Sequence, residues 1–161
     1  MRTEHHSFSF DVYDNIGELP SQDQWLLNEA REVTATAYAP YSRFQVGAVA
    51  LLANGEVVAG SNQENASFPV GLCAERVLLA SVSSLYPGVP IDTIAISYFN
   101  NNGESDRPIT PCGVCRQSLC EFESRVGRSI RLILGGMEGE VFVVPSSGSL
   151  LPMGFSGDDL A

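Results

Sequence analysis

Apolar residues recur at helical spacing from Asp23 onward, where Trp25, Leu26, Ala30, Val33 and Ala37 form one stripe. Asp23 stands at the start, where the helix dipole favours negative charge. The pattern predicts a first helix, stopped by Pro40. Gln45 to Ala53 is then a largely apolar run and Glu56 to Ala59 a second, and Asn54-Gly55 between them predicts a hairpin. Helical period returns over Cys73 to Leu85, through Val77, Leu78, Ala80 and Leu85, and Tyr86-Pro87-Gly88 ends it. Ile91 to Phe99 reads as a buried strand, Asn100 to Pro108 as a polar loop, and Cys112 to Arg125 as a third helix opened by Pro111. Arg131 to Leu134 and Glu140 to Val144 supply two more strands. The order α-β-β-α-β-α-β-β predicts an α/β fold with a mixed sheet covered on its faces. Residues 1–22 are polar and aperiodic and end in Leu19-Pro20-Ser21, so they read as an N-terminal arm, leaving 23–161 as a single domain.

Composition narrows the chemistry. With 161 residues, 44% of them hydrophobic and 17% charged, the chain suits one folded core. All nine basic residues are arginine, which excludes a Schiff-base lysine, a phosphate-loop lysine and a lysine general base. The only histidines, His5 and His6, lie in the polar N-terminal stretch, so a Ser/His or Cys/His nucleophilic pair is not expected. A net charge of −10 disfavours nucleic acid as a partner, because such binding rests on neutralising phosphates. Five arginines do fall between Arg107 and Arg131, but Glu121 and Glu123 lie among them, as on a solvated helix face. The N-terminus lacks the apolar core of a signal peptide, and the longest apolar run, Val46 to Ala53, is too short to cross a bilayer. The expectation is a soluble, cytoplasmic protein without membrane contact, in which four cysteines favour metal binding or catalysis over disulfides.

Cys112 and Cys115 form a C-x-x-C at a predicted helix start, where residues three apart share a face and both sulfurs can reach one ion. Cys73 opens the preceding helix, and thiolates sit well at helix N-termini. Cys120 is five residues beyond Cys115, about 7.5 Å along the axis and turned by roughly 140°, so it reads as a small buried hydrophobe and not a ligand. Three protein ligands leave one position of a tetrahedral zinc open, which is the catalytic arrangement, whereas structural sites are closed by four. Glu75, two residues after Cys73, is placed to move protons for a water on such a metal. A ligand, a non-ligand Glu two residues on, and a later P-C-x-x-C is the signature of zinc deaminases.

At these residues the sequence resembles the cytidine deaminase family, specifically its short homotetrameric branch with a three-cysteine zinc site. The resemblance is carried by Tyr38 to Ala48 (YAPYSRFQVGA), Asn62 to Ala66 (NQENA), Cys73 to Arg76 (CAER), Pro111 to Gln117 (PCGVCRQ) and Leu150 to Leu160 (LLPMGFSGDDL). It implies a three-layer α-β-α fold with a five-stranded mixed sheet, and one zinc per subunit on Cys73, Cys112 and Cys115. It further implies deamination of cytidine and 2′-deoxycytidine to the uridines, in pyrimidine salvage, by attack of a zinc-bound hydroxide on C4 with Glu75 as proton shuttle. By the same resemblance the backbone at Ala74 contacts the base, Phe44 stacks near it, Asn62 and Glu64 bind ribose hydroxyls, and Phe155 completes a neighbouring subunit's pocket. The residue chemistry agrees: an amide and a carboxylate two apart on extended chain point to one face, and an aromatic ring offers a face to a base.

Three thiolates and Zn²⁺ sum to −1, a poorer Lewis acid than a site with neutral histidine. Arg76, with Arg116 behind it, and the two helix N-termini are the groups available to offset that charge. The absence of lysine and of a phosphate-cradling glycine loop near the motifs points to a neutral nucleoside. The chain departs from the family pattern in its first ~22 residues, a longer loop over Asn100 to Asp106, Ser61, and Gln63 within the ribose segment. Two other classes remain open from sequence: a zinc-stapled interaction module, and a deaminase acting on RNA or DNA.

Overall fold

The computed structural model describes residues 1–160. Among them the order is β1 (Asp11–Tyr13), α1 (Ser21–Val33), β2 (Phe44–Leu52), β3 (Val57–Ser61), α2 (Ala74–Leu85), β4 (Ile91–Asn100), α3 (Gly113–Val126), β5 (Arg131–Gly135) and β6 (Val141–Val144). The strands make one mixed sheet in the order β1-β6-β5-β4-β2-β3, with β4 and β5 parallel and the other neighbours antiparallel.

Side chains alternate across each strand, so one sheet builds two cores. Ala48, Ala50, Ile94, Ile96, Leu132 and Leu134 pack under Leu78 and Val82 of α2 and Leu119 and Phe122 of α3. Val49, Ala95, Ile133, Val141 and Val143 face the other way, against Leu26, Leu27 and Ala30 of α1. The result is three layers, with α1 alone on one face. Gly47 permits α1 to sit this close, since a Cβ there would lie 2.2 Å from the Ala30 carbonyl oxygen. The Asn54-Gly55 hairpin forms as expected, joining Leu51 to its partner Val57 with Gly55 at φ +86°.

The sheet has six strands where five were expected. The sixth is β1, inside the stretch read as an arm: Asp11, Val12 and Tyr13 pair with Val143, Phe142 and Val141. Phe10 packs its ring 5.0 Å from that of Phe142, and Leu19, only 4% exposed, joins the α1-side core. Three residues of strand set among Asp11, Asp14 and Asn15 show too little alternation to stand out in sequence. α1 also starts earlier than its apolar stripe, at Ser21 after Pro20, and gives way after Val33 to a 3₁₀ turn over Thr34–Thr36.

β3 and β4 both pair antiparallel with β2, so they run the same way. The segments leaving their carboxyl ends lead into α2 and α3, which places both helix starts at one edge of the sheet, where ligand crevices of α/β folds form.

Candidate metal centre and pocket

Cys73 and Cys112 are the residues immediately before α2 and α3, each in extended conformation, and Cys115 lies in the first turn of α3. Their sulfurs converge: Cys73 Sγ is 3.8 Å from Cys112 Sγ, Cys112 Sγ is 3.5 Å from Cys115 Sγ, and all three lie within 4.8 Å of one another. Ligands of a tetrahedral ion at about 2.3 Å would stand roughly 3.8 Å apart, so the donor set fits zinc, and thiolate donors suit it chemically. A hydrogen bond from the Cys115 thiol, working against burial, brings Cys73 down to about 6, with Cys112 and the Arg76 charge helping. Cys115, which shares its proton with Cys73 and is buried, is pushed up. Cys120 is half-buried and outside the cluster, and His5 and His6 are exposed and also outside it.

Glu75 lies in the first turn of α2 and is 6% exposed. Burial raises its carboxyl above the usual range. It lines a pocket of about 550 Å³ together with Cys73, Cys112, Phe44, Asn62 and Glu64, so five groups named from sequence meet around the buried acid. The Phe44 ring is stacked on Tyr98, with centroids 4.8 Å apart and planes at 16°. The Asn62 amide bridges the end of β2, accepting from the Val46 N–H (2.7 Å) and donating to the Phe44 carbonyl (2.9 Å). Among the described residues its remaining amide hydrogen and lone pair have no partner, which leaves them for a ligand. Burial would push the Glu64 carboxyl up, but Ser42 and the N–H groups of Tyr41 and Ser42 outweigh it and hold the group below the usual range.

The segment between them is extended, with Gln63 paired by its backbone to Leu72 and the Asn62 carbonyl and Glu64 N–H both taken by Tyr38. Asn62 and Glu64 therefore share one face, as the two-residue spacing predicts. Ala74 is fully buried at the first position of α2, where main-chain N–H groups lack intrahelical partners. Arg76 is partly exposed and makes no ion pair among the described residues. Arg116 is committed elsewhere, donating to the carbonyls of Pro111 (2.8 Å) and Leu150 (3.1 Å) and to Thr110 Oγ1 (3.2 Å), which ties the start of α3 to the C-terminal segment. Phe155 is 56% exposed and does not line this pocket, and its carbonyl accepts from Gln117 Nε2 at 2.8 Å. Phe68, Leu72, Ile109 and Thr110 also line the pocket and were not singled out from sequence. The available signal was position alone, since these residues flank the cysteine and Asn-x-Glu motifs.

Fold and site together define a three-layer α/β domain with a three-thiol cluster able to hold a metal ion beside a buried acid. A family model described as the cytidine and deoxycytidylate deaminase zinc-binding region matches residues 20–130. The chain belongs to the cytidine deaminase family. A cytidine deaminase of Halalkalibacterium halodurans is 37% identical over 137 residues, covering 85% of this chain and 96% of that one. A cytidine deaminase of Mycobacterium tuberculosis is 38% identical over 135 residues, covering 84% and 90%. The crystal structure of cytidine deaminase from Burkholderia pseudomallei superposes with a TM-score of 0.72 at 37% identity, covering 85% of this chain and all (100%) of that one.

Proposed function

We propose that the protein catalyses the hydrolytic deamination of cytidine and 2′-deoxycytidine to uridine and 2′-deoxyuridine, releasing ammonia, with one zinc ion per subunit held by Cys73, Cys112 and Cys115. The observation that carries this reading is the buried Glu75 carboxyl, lining one pocket with two of those cysteines and with Phe44, Asn62 and Glu64. Zinc bound there supplies Lewis-acid chemistry, lowering the pKa of water so that hydroxide is available near neutral pH. Glu75 takes the proton of the attacking water and delivers it to N3 of the pyrimidine as oxygen bonds to C4. It then takes the second proton, from the hydroxyl now on C4, and passes it to the 4-amino group, so that the C4–N bond breaks as the C4 carbonyl forms and ammonia leaves. A carboxyl whose pKa is raised by burial suits this work, because it holds a proton long enough to hand it on.

The other groups orient the substrate. Phe44, backed by Tyr98, offers its ring to the base, and the Ala74 main chain contacts the base edge. Asn62 and Glu64 receive ribose hydroxyls while their own hydrogen bonds to backbone keep them in place. Among the described residues of one chain the pocket lining includes no arginine, which favours a neutral nucleoside over a nucleotide. Arg76 offsets the negative charge of a three-thiolate zinc site, supported by the downward pull of its charge on Cys73. The exposed Phe155, away from its own chain's pocket, supports a homotetramer in which it completes a neighbour's site. A cytoplasmic setting and a role in pyrimidine salvage are what the resemblance to the family implies for this reading.

The test is to offer cytidine, 2′-deoxycytidine and cytidine monophosphate to purified, zinc-loaded protein and follow absorbance and ammonia. Ammonia from both nucleosides and little from the monophosphate is expected. No ammonia from either nucleoside would overturn the reading.

A further inference from the structure

The loop between β4 and α3 makes contacts that the catalytic account does not use. Its base is fixed at Ser105, which is 8% exposed: the Ser105 carbonyl accepts from the Met137 N–H at 2.7 Å, and its hydroxyl accepts from the Asn100 N–H at 2.9 Å. The turn after β5 lies so close that a Cβ on Gly136 would come 2.2 Å from the Ser105 carbonyl oxygen. From this footing the tip reaches the chain entering β2. Asn101 donates to the Arg43 carbonyl twice, from its N–H at 3.0 Å and from Nδ2 at 3.2 Å, and Nδ2 also donates to Gln45 Oε1 at 3.0 Å. Asn102 Nδ2 donates to the Ser42 carbonyl at 3.0 Å.

Arg43, held between these bonds, has φ +56°, a left-handed conformation that costs energy in a residue other than glycine and persists only when its surroundings impose it. Ser42 and Phe44 on either side both line the pocket, and the Ser42 N–H is a partner of the Glu64 carboxylate. The Phe44 N–H in turn donates to Ser42 Oγ at 3.0 Å.

We infer that Asn101 and Asn102 are positioning residues for the sugar end of the pocket, bracing the Ser42–Phe44 turn so that Glu64 is held for the ribose hydroxyls. This rests on the nucleoside reading above. The bracing acts through Glu64, which meets the sugar, so its loss falls on substrates carrying ribose hydroxyls and spares the proton transfers of Glu75. Asn102→Ala removes one hydrogen bond and Asn101→Ala two, while the Asn101 main-chain bond remains.

The experiment compares wild type, Asn102→Ala, the Asn101→Ala/Asn102→Ala double variant and Glu104→Ala, all zinc-loaded, using cytidine and 2′,3′-dideoxycytidine. Glu104 is an exposed neighbour on the same loop with no hydrogen bond among the described residues. The double variant is expected to raise KM for cytidine roughly three- to tenfold, with kcat nearly unchanged and KM for the dideoxynucleoside unmoved. Glu104→Ala should match wild type. Amide hydrogen exchange at Ser42 and Phe44, measured without substrate, should be faster in the double variant at an unchanged melting temperature. Equal KM shifts for both nucleosides, or exchange as slow as in wild type, would overturn the inference. If wild type turned over neither nucleoside, the functional reading would fail by itself, and the exchange measurement would still decide whether the loop braces the turn.

Discussion

At the residue scale, the site groups differ in how firmly partners hold them: Asn62 and Glu64 are tied to backbone, while Arg76 makes no ion pair among the described residues. In Glu64, the N–H groups of Tyr41 and Ser42 hold the carboxylate, and its pKa is depressed in the fold. A depressed carboxyl contributes stability above its unfolded value, and that contribution is lost as pH falls through the folded value. Glu64→Gln should therefore melt below wild type at pH 7, and the gap should close as pH drops below the ordinary 4.5. A gap that stays constant down to pH 3 would contradict the assignment. Arg76 is tested by a different pair of readings. Arg76→Ala should lower kcat or lose zinc faster to a chelator, and unchanged values of both would remove it from the charge balance.

At the element scale, the site exists because α2 and α3 begin at the same edge of the sheet, with a cysteine just ahead of each. That juxtaposition depends on close packing of helices against the sheet. Gly47→Ala would drive a methyl into the Ala30 carbonyl on the opposite face, forcing α1 off β2. A loss of about 1–3 kcal/mol is expected, read as a lower melting temperature, and an unchanged melting temperature would show that α1 can shift freely. Much of this scale was legible in the sequence. The cysteine pattern announced the three-sulfur cluster, Asn-Gly announced the hairpin, helical period announced the first two helices and Pro111 the start of the third. What escaped depended on partners distant in sequence. β1 is visible only once β6 offers an edge, and Asp23, read as a helix-start acid, proves to hold Arg131 in a two-pronged ion pair at 2.9 and 2.6 Å. Arg116 likewise belongs to contacts with Pro111 and Leu150 that no local pattern encodes.

At the scale of the whole molecule, the exposed Phe68, Val70, Val114 and Phe155 are apolar surface that a single chain leaves to water. Assembly into the proposed tetramer would cover such surface and bring Phe155 to a neighbouring pocket. Sedimentation should then give four chains per particle, and Phe155→Ala should raise KM for cytidine; a monomer with full activity would contradict it. The charge of −10 and the absence of lysine fit a catalyst for a small neutral substrate. The central claim is that three thiols hold zinc while Glu75 moves the protons, and one comparison tests it most directly: kcat for cytidine in wild type and in Glu75→Gln, with zinc per chain measured in both samples. Both proteins should carry one zinc per chain, with kcat in Glu75→Gln lower by about 10²-fold or more. A zinc-loaded Glu75→Gln that deaminates cytidine at the wild-type rate would contradict the claim.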